Sequence, residues 1–420
     1  MDWKRCRGAW PSLVVLMTSA RSLTMNISES AEERTFRHVV RHFFAQEYPQ
    51  DILTKVKFGQ ILSKDDYKRS QIALQSRNWF AVTWPKEYGG PGWSARQRYI
   101  FDEELEQANA PNVIPTGVIY IGPLICAFGT DWQKDTWLPA TLNSEIFWAQ
   151  GYSEPDAGSD LSSLRTRAER DGETFVINGC KTWTSWAQWA DWIFCLVRTS
   201  AASRKQDGIS VICVPMNAPG VSVQPIVSID GAHTLNSVLF ENVRVPARNL
   251  VGEEGRGWRL AKFVLNNERL SYAHIARKRT DLAMLKACAR CIFDGTSNSN
   301  SRSTFAVKVA AYEISLDQLE ISVMRLLTGS IEGPTMTSWL KVEATENAQR
   351  LTELFIELSG YDGFPVFDRT REAWSDLISK NRRFAQPAMA SYFHTRAQTI
   401  YGGTTEVQKD IVARAILRLD

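Results

Sequence analysis

Apolar residues follow three successive patterns along the chain. From residue 30 to about 142 they recur at helical spacing, beginning with a capping box of Ser30 and Glu33 ahead of Phe36. Between 147 and 246, short runs of β-branched and aromatic residues alternate with Gly, Asn, Asp and Pro, which predicts a compact β domain. Helical spacing returns from Trp258, in segments near 258–293, 304–328, 335–359 and 404–418. The predicted order is helical, β, helical.

These patterns predict an N-terminal helical domain over 26–145, a middle β domain over 146–253 and a C-terminal helical domain over 254–420. Residues 1–25 are interpreted as an extension or a doubtful start. Lys4, Arg5 and Arg7 precede a short apolar stretch, as in a targeting segment, but no clean cleavage site follows.

Composition narrows the possible partners and the compartment. The net charge of +3, from 49 basic and 46 acidic residues, argues against nucleic acid as a partner. No apolar run approaches the roughly 20 residues that span a bilayer, so no membrane association is expected.

Seven scattered cysteines indicate a reduced compartment, the cytoplasm or, in a eukaryote, the mitochondrial matrix. The five histidines form no metal-ligand grouping, and no metal is expected.

Residues 151–160, with the sequence GYSEPDAGSD, form the most informative segment. Small residues beside Gly158 allow backbone amides to approach a ligand, and Ser153 and Ser159 offer hydroxyl groups. Such a loop suits a polar, phosphate-bearing cofactor. The alternative is an ordinary loop at the start of a β domain.

Two further segments carry candidate chemistry. In residues 178–185, Gly179 is interpreted as a turn, and Trp183 in the strand beyond it could stack on a planar ring or belong to the core. In residues 400–408, two glycines and two threonines precede the last helix, an arrangement that suits an anion but is also common in helix caps.

Together the three segments resemble the acyl-CoA dehydrogenase family. The similarity lies in the patterns E-P-x-A-G-S-D, G-x-K-x-W-T-S and Y-x-G-T-x-E-x-Q, and it extends over roughly 26–418. It implies an α+β fold with an N-terminal helical domain, a middle β-barrel or β-sandwich and a C-terminal four-helix bundle. It also implies FAD-dependent oxidation of an acyl-CoA to a trans-2-enoyl-CoA, with electrons passed to an electron-transfer flavoprotein.

The resemblance assigns roles to particular residues. Tyr152, Ser153 and Ser159 would lie at the flavin or its ribityl-phosphate arm, and Ser159 also at the substrate. Trp183 would pack on the isoalloxazine, and Ser185 would reach its N5 side. Two residues of the C-terminal loop would lie near the cofactor, namely Thr404 and Glu406.

The catalytic base departs from the common family pattern. Many members carry a glutamate directly after the tyrosine of the C-terminal pattern, but this chain has Gly402 there. The second base position used in the family lies just before an arginine on the first long helix of the C-terminal domain, and Glu268 precedes Arg269 there. We therefore predict Glu268 as the base, with Arg269 supporting it and the Gly402 amide binding the thioester carbonyl. The alternative is a surface Glu–Arg pair.

The cofactor site is incomplete in sequence. Family homotetramers bind the FAD pyrophosphate and adenine with R-x-x-F-G and Q-x-x-G-G-x-G patterns from a neighbouring subunit. This chain has Asp294 in place of the first glycine, and residues 358–363 read LSGYDG. The resemblance therefore leaves open a homotetramer and an α2β2 assembly with a second dehydrogenase-like subunit, as in some bacterial enzymes for steroid side chains and dicarboxylic acids. A non-catalytic partner subunit and a flavin oxidase are the remaining alternatives.

Overall fold

The computed structural model describes residues 29–57, 60–201, 203–271, 273–293, 299–327, 334–363 and 388–418. The predicted extension at 1–25 lies outside these residues. Within them, no helix is both long and apolar enough to cross a membrane.

The first domain is helical, as predicted. Its helices are α1 (Ala31–Gln46), α2 (Gln50–Lys57), α3 (Lys64–Gln75), α4 (Ala95–Gln107), α5 (Gly122–Phe128) and α6 (Asp131–Leu142). The predicted capping box is present, with the Glu33 amide donating to Ser30 Oγ at 3.1 Å. The apolar side of α1 is buried at Val40, Phe43 and Phe44.

A mixed eight-stranded sheet forms the middle domain. The strands are β1 (Trp148–Gly151), β2 (Arg167–Asp171), β3 (Thr174–Ser185), β4 (Trp192–Arg198), β5 (Ile209–Pro215), β6 (Val221–Ile226), β7 (Leu235–Pro246) and β8 (Leu250–Val251). The order is β6-β7-β3-β2-β4-β5-β8, with β1 parallel to β4. Buried β-branched and aromatic side chains fill one side, as the runs in the sequence predict.

One predicted turn is wrong. Gly179 lies inside β3, which continues without a break to Ser185. A Cβ at this position would lie 2.5 Å from Thr166 Oγ1, and the φ angle is 148°. The glycine therefore permits a close approach between strands and does not reverse the chain.

The last domain is again helical. It contains α7 (Gly257–Ser271), α8 (Ile275–Phe293), α9 (Ser299–Leu327), α10 (Pro334–Ser359), α11 (Ala388–Arg396) and α12 (Thr405–Val412). Helices α8, α9 and α10 share an apolar core. Helix α10 also contacts α7, α11 and α12, so it connects the first and last helices of the domain.

The segment predicted as one helix over 258–293 is two helices. The chain breaks before α8, where His274 has a φ angle of 38°. Lys278 Nζ donates to the Ala273 carbonyl oxygen at 2.6 Å, which satisfies a backbone acceptor that the break releases. Helix α9 begins at Ser299, whereas apolar spacing in the sequence predicts a start near residue 304.

Candidate active site

The loop at 151–160 and strand β3 meet directly. The Thr182 amide donates to the Ser153 carbonyl oxygen at 2.9 Å. Lys181 Nζ donates to the Tyr152 carbonyl oxygen at 3.1 Å and to Glu154 Oε1 at 2.7 Å. The structure thus brings together two segments that lie about 20 residues apart in the sequence and that were both predicted to contact a cofactor.

Glu154 is a buried carboxylate with several donors. Besides Lys181, it accepts from the amide of Arg165 at 2.6 Å and from that of Thr166 at 2.9 Å. Burial favours the neutral acid, but the Lys181 ammonium and these hydrogen bonds hold the pKa of Glu154 below its ordinary value. Glu154 is therefore ionised at neutral pH. It connects the loop to β3 on one side and to the segment before β2 on the other.

Trp183 lies on a bulge of β3. The register with β7 shifts between Lys181 and Thr184, and Trp183 has a φ angle of 58°. Its neighbours Thr182 and Thr184 are both buried, whereas the Trp183 side chain is 59% exposed. The bulge therefore turns a large aromatic side chain outward between two buried neighbours on the same strand.

The remaining predicted residues of the loop and of β3 differ in how far they are exposed. Ser159 is exposed, and Ser153 and Ser185 are half-buried. Tyr152 is buried, and its ring packs edge-to-face against Phe194 at 5.8 Å between centroids. Tyr152 thus anchors the loop, while the serines leave hydroxyl groups available to a ligand.

The C-terminal loop has a constrained backbone. Gly402 and Gly403 have φ angles of 66° and 86°, which favour glycine. Gln408 Nε2 donates to the Gly402 carbonyl oxygen at 3.2 Å. The fully buried Lys341 on α10 donates to the carbonyl oxygens of Gln398 at 2.9 Å and Gly403 at 2.8 Å. Two side chains thus fix the loop that precedes α12.

Thr404 and Glu406 lie at the start of α12. Thr404 is the N-cap, and its Oγ1 accepts from the Val407 amide at 3.2 Å. Backbone N–H donation at the helix start and the Thr404 hydroxyl lower the pKa of Glu406, which is exposed. Glu406 borders an open recess of about 450 Å³, lined also by Arg350 and Glu353.

The predicted base lies on α7. The backbone of Glu268 and Arg269 is helical, and their side chains lie outside the described residues. Helix α10 contacts both α7, which carries Glu268, and α12, which directly follows the loop with Gly402. The two base positions known in the predicted family therefore lie on, or next to, helices that share one neighbour. The role of Glu268 stays a prediction.

Sequence reasoning misses four buried polar side chains of the site, namely Glu154, Lys181, Lys341 and Gln408. Lys181 belongs to the pattern G-x-K-x-W-T-S, but the sequence did not reveal that it is buried and bonded to Tyr152 and Glu154. Lys341 lies on one helix face with Ser338 and Thr345, three residues before and four after it, but their full burial becomes visible only in the structure.

Family profiles match the chain in three consecutive regions. They describe the acyl-CoA dehydrogenase N-terminal domain at residues 30–145, the middle domain at 149–243 and the C-terminal domain at 255–417. The chain belongs to the acyl-CoA dehydrogenase family. The predicted fold and the predicted class of enzyme, an oxidoreductase acting on CH–CH donors, are therefore confirmed.

Several relatives are similar over most of this acyl-CoA dehydrogenase. FadE26 of Mycobacterium tuberculosis is 32% identical over 94% of this chain and 99% of its own. IpdE1 of the same organism is 34% identical over 80% of this chain and 83% of its own. Among solved structures, the Tcur3481-Tcur3483 steroid ACAD is 30% identical with a TM-score of 0.81, over 94% of this chain and all of that one. The ChsE4-ChsE5 complex from Mycobacterium tuberculosis is 32% identical with a TM-score of 0.79, over the same shares.

FAD is the cofactor of acyl-CoA dehydrogenases, and the residues present here fit it. An isoalloxazine ring needs a planar face for stacking, which the exposed indole of Trp183 offers. Its polar edge and phosphate arm need donors, which the accessible hydroxyls of Ser153, Ser159 and Ser185 can supply.

Proposed function

We propose that this chain oxidises an acyl-CoA thioester to a trans-2-enoyl-CoA, with Glu268 as the base that removes the proton from Cα. Bound FAD supplies the acceptor for the hydride that leaves Cβ. The observation that carries the proposal is the outward-turned Trp183 beside the loop at 152–160, in a chain that matches all three domains of the family.

The loop around Gly402 would activate the substrate. A Cα–H is a weak acid, and a hydrogen bond to the thioester carbonyl oxygen lowers the barrier to its removal. We assign that donor to the Gly402 amide, because the residue has no side chain to act as a base and its backbone is fixed through Gln408 and Lys341. Arg269 would support the Glu268 carboxylate or its helix.

We further propose a bulky, ring-bearing acyl group as substrate. The support is the similarity to a solved structure named as a steroid acyl-CoA dehydrogenase, together with the mycobacterial relatives above. Electrons would leave through an electron-transfer flavoprotein, and the cytoplasm is the expected location.

A second, unlike dehydrogenase chain would complete the FAD site. Two solved relatives are named as complexes of two proteins. The altered family patterns also reach the surface of this chain. Arg290, which begins the first pattern, is exposed, and Tyr361 of the second is 88% exposed in the turn Gly360–Gly363. In this proposal, Ser153, Trp183 and Thr404 supply one half of the site and the partner supplies the other.

The test is the visible absorption spectrum of the purified chain, alone and co-expressed with a candidate second subunit. The probes are butanoyl-CoA, octanoyl-CoA and the CoA thioester of cholanic acid. We expect stoichiometric flavin only in the two-chain sample, and bleaching by the steroid thioester. Stoichiometric flavin in the chain alone would contradict the shared site. Rapid reoxidation of the bleached flavin by oxygen would instead indicate a flavin oxidase.

A further inference from the structure

The ion pair between Glu154 and Lys181 lies directly behind the predicted flavin-contacting residues. Its side chains are 7% and 0% exposed, with 2.7 Å between Nζ and Oε1. Glu154 immediately follows Ser153, and Lys181 lies two residues before Trp183. Neither residue was predicted to contact the cofactor.

We infer that the Glu154–Lys181 pair is a positioning device that fixes the loop at 152–160 against the Trp183 bulge and thereby sets how tightly the chain holds its flavin. The inference rests on the flavin site proposed above. It adds two residues that act through others and touch neither the flavin nor the substrate.

The hydrogen-bond geometry supports positioning by both members of the pair. Lys181 donates on one side to the Tyr152 carbonyl oxygen and on the other to Glu154, so its ammonium connects the residues on either side of Ser153. Glu154 in turn accepts from the amides of Arg165 and Thr166, which follow the loop and lie just before β2. The start of the loop and the segment that follows it are therefore both connected, through Glu154, to Lys181 on β3.

Burial makes this arrangement rigid. Separating the two members of a buried ion pair leaves each charge in the interior without compensation, which strongly favours the paired arrangement. A neutral, uncharged pair of similar volume could fill the same space, but it would not impose the same spacing between Ser153 and Trp183. Replacing the pair should therefore weaken FAD binding more than it reduces the stability of the fold.

The experiment compares the wild-type apoprotein with the double variant Glu154→Gln/Lys181→Met, each in its natural assembly. FAD is titrated by flavin fluorescence, and the fluorescence lifetime of bound FAD is measured separately. We expect the dissociation constant to rise at least tenfold. We also expect a longer lifetime, because quenching by the Trp183 indole falls as the two rings separate. The matched control is Lys205→Met, which breaks an exposed ion pair with Asp160 on the same loop and should leave both values unchanged.

Three outcomes are distinguishable. Failure of the wild type to bind FAD would contradict the proposed function itself. A folded double variant with wild-type affinity and lifetime would overturn the positioning role. If the double variant does not fold, Glu154→Asp decides, because it keeps the charge and shortens the connection by one methylene. Wild-type affinity and lifetime in that variant would equally overturn the inference.

Discussion

Trp183 combines an exposed indole with a backbone conformation that disfavours it. A left-handed φ angle costs a non-glycine residue about 1–2 kcal/mol, and a bulky aromatic residue is unusual there. Because the Trp183 side chain is mostly exposed, packing against the core does not offset this conformational cost. Backbone strain of this kind is found mainly at functional sites, where the strained conformation directs a side chain toward a ligand.

Replacing Trp183 by glycine should therefore separate stability from cofactor binding. Glycine adopts the left-handed conformation freely, so we expect the free energy of unfolding of the apoprotein to stay constant or rise by up to about 1 kcal/mol. Loss of aromatic stacking should weaken FAD binding by roughly five- to tenfold. Urea denaturation and a fluorescence titration with FAD measure the two effects.

Trp186 provides the matched control. It has the same left-handed backbone, with a φ angle of 60°, but its ring stacks on Trp189 at 4.8 Å and packs against Tyr67 at 5.6 Å. Trp186→Gly should destabilise the fold and leave the FAD affinity of the folded protein unchanged. A stability loss in Trp183→Gly equal to that in Trp186→Gly would show that Trp183 is a packing residue.

At the residue scale, the sequence predicts the accessible groups of the site better than the buried side chains that hold them in place. Trp183 and Ser153 belong to recognisable patterns, and the structure leaves both accessible. Lys181 and Lys341 are fully buried, although lysine is among the residues most rarely buried. Their roles depend on carbonyl oxygens far away in the sequence, and no local pattern specifies such partners.

At the scale of elements, Lys341 connects α10 to the C-terminal loop. Lys341→Met would remove both hydrogen bonds and leave the carbonyl oxygens of the half-buried Gln398 and Gly403 without that donor. We expect the free energy of unfolding to fall by about 2–4 kcal/mol, as measured by urea denaturation. Lys409→Met, which removes an exposed lysine on α12, should have no measurable effect. Equal behaviour of the two variants would contradict the role of Lys341.

A second connection joins the β domain to α11 and should depend on pH. His394 Nδ1 lies 3.3 Å from Asp230 Oδ2, and this contact, with the Ser228 hydroxyl and the Ala232 amide, holds the pKa of Asp230 below its ordinary value. A carboxyl with a lowered folded pKa stabilises the fold above its unfolded pKa of about 4, and loses that contribution as pH falls toward the folded value.

Asp230→Asn should therefore reduce stability at pH 5 by more than at pH 3. Urea denaturation at the two values measures the difference between wild type and variant. Since His394 is largely exposed, the contribution of this contact is expected to be small. A difference that stays constant between pH 3 and pH 5 would show that the Asp230 charge does not contribute.

Element order was predictable from the sequence, but two local features were not. Helical and alternating spacings identify three regions because each depends on which side of an element is buried. The continuation of β3 through Gly179 depends instead on its contact with Thr166, and the break before His274 on a hydrogen bond from Lys278. Tertiary contacts of this kind override local turn and helix signals.

At the scale of the whole molecule, the chain carries the family fold, and we propose that its catalytic base has moved to a different helix. The common position of the base holds Gly402, and a glutamate stands instead on α7 at 268. In the β domain, the buried Lys181–Glu154 ion pair connects the loop at 152–160 to β3. Residues that other members direct toward a neighbouring subunit are altered, which is why we propose that a second chain completes the site.

The most direct test of the proposed activity is the rate of flavin bleaching in the Glu268→Gln variant of the FAD-loaded assembly. Under anaerobic conditions, wild type and variant are mixed with the acyl-CoA that bleaches the wild type fastest. Glu253→Gln, an exposed acid ahead of α7, is the control. We predict equal FAD content in all three proteins and a rate roughly 10²–10⁴-fold lower in Glu268→Gln alone. Bleaching of Glu268→Gln at the wild-type rate would contradict the assignment of the base.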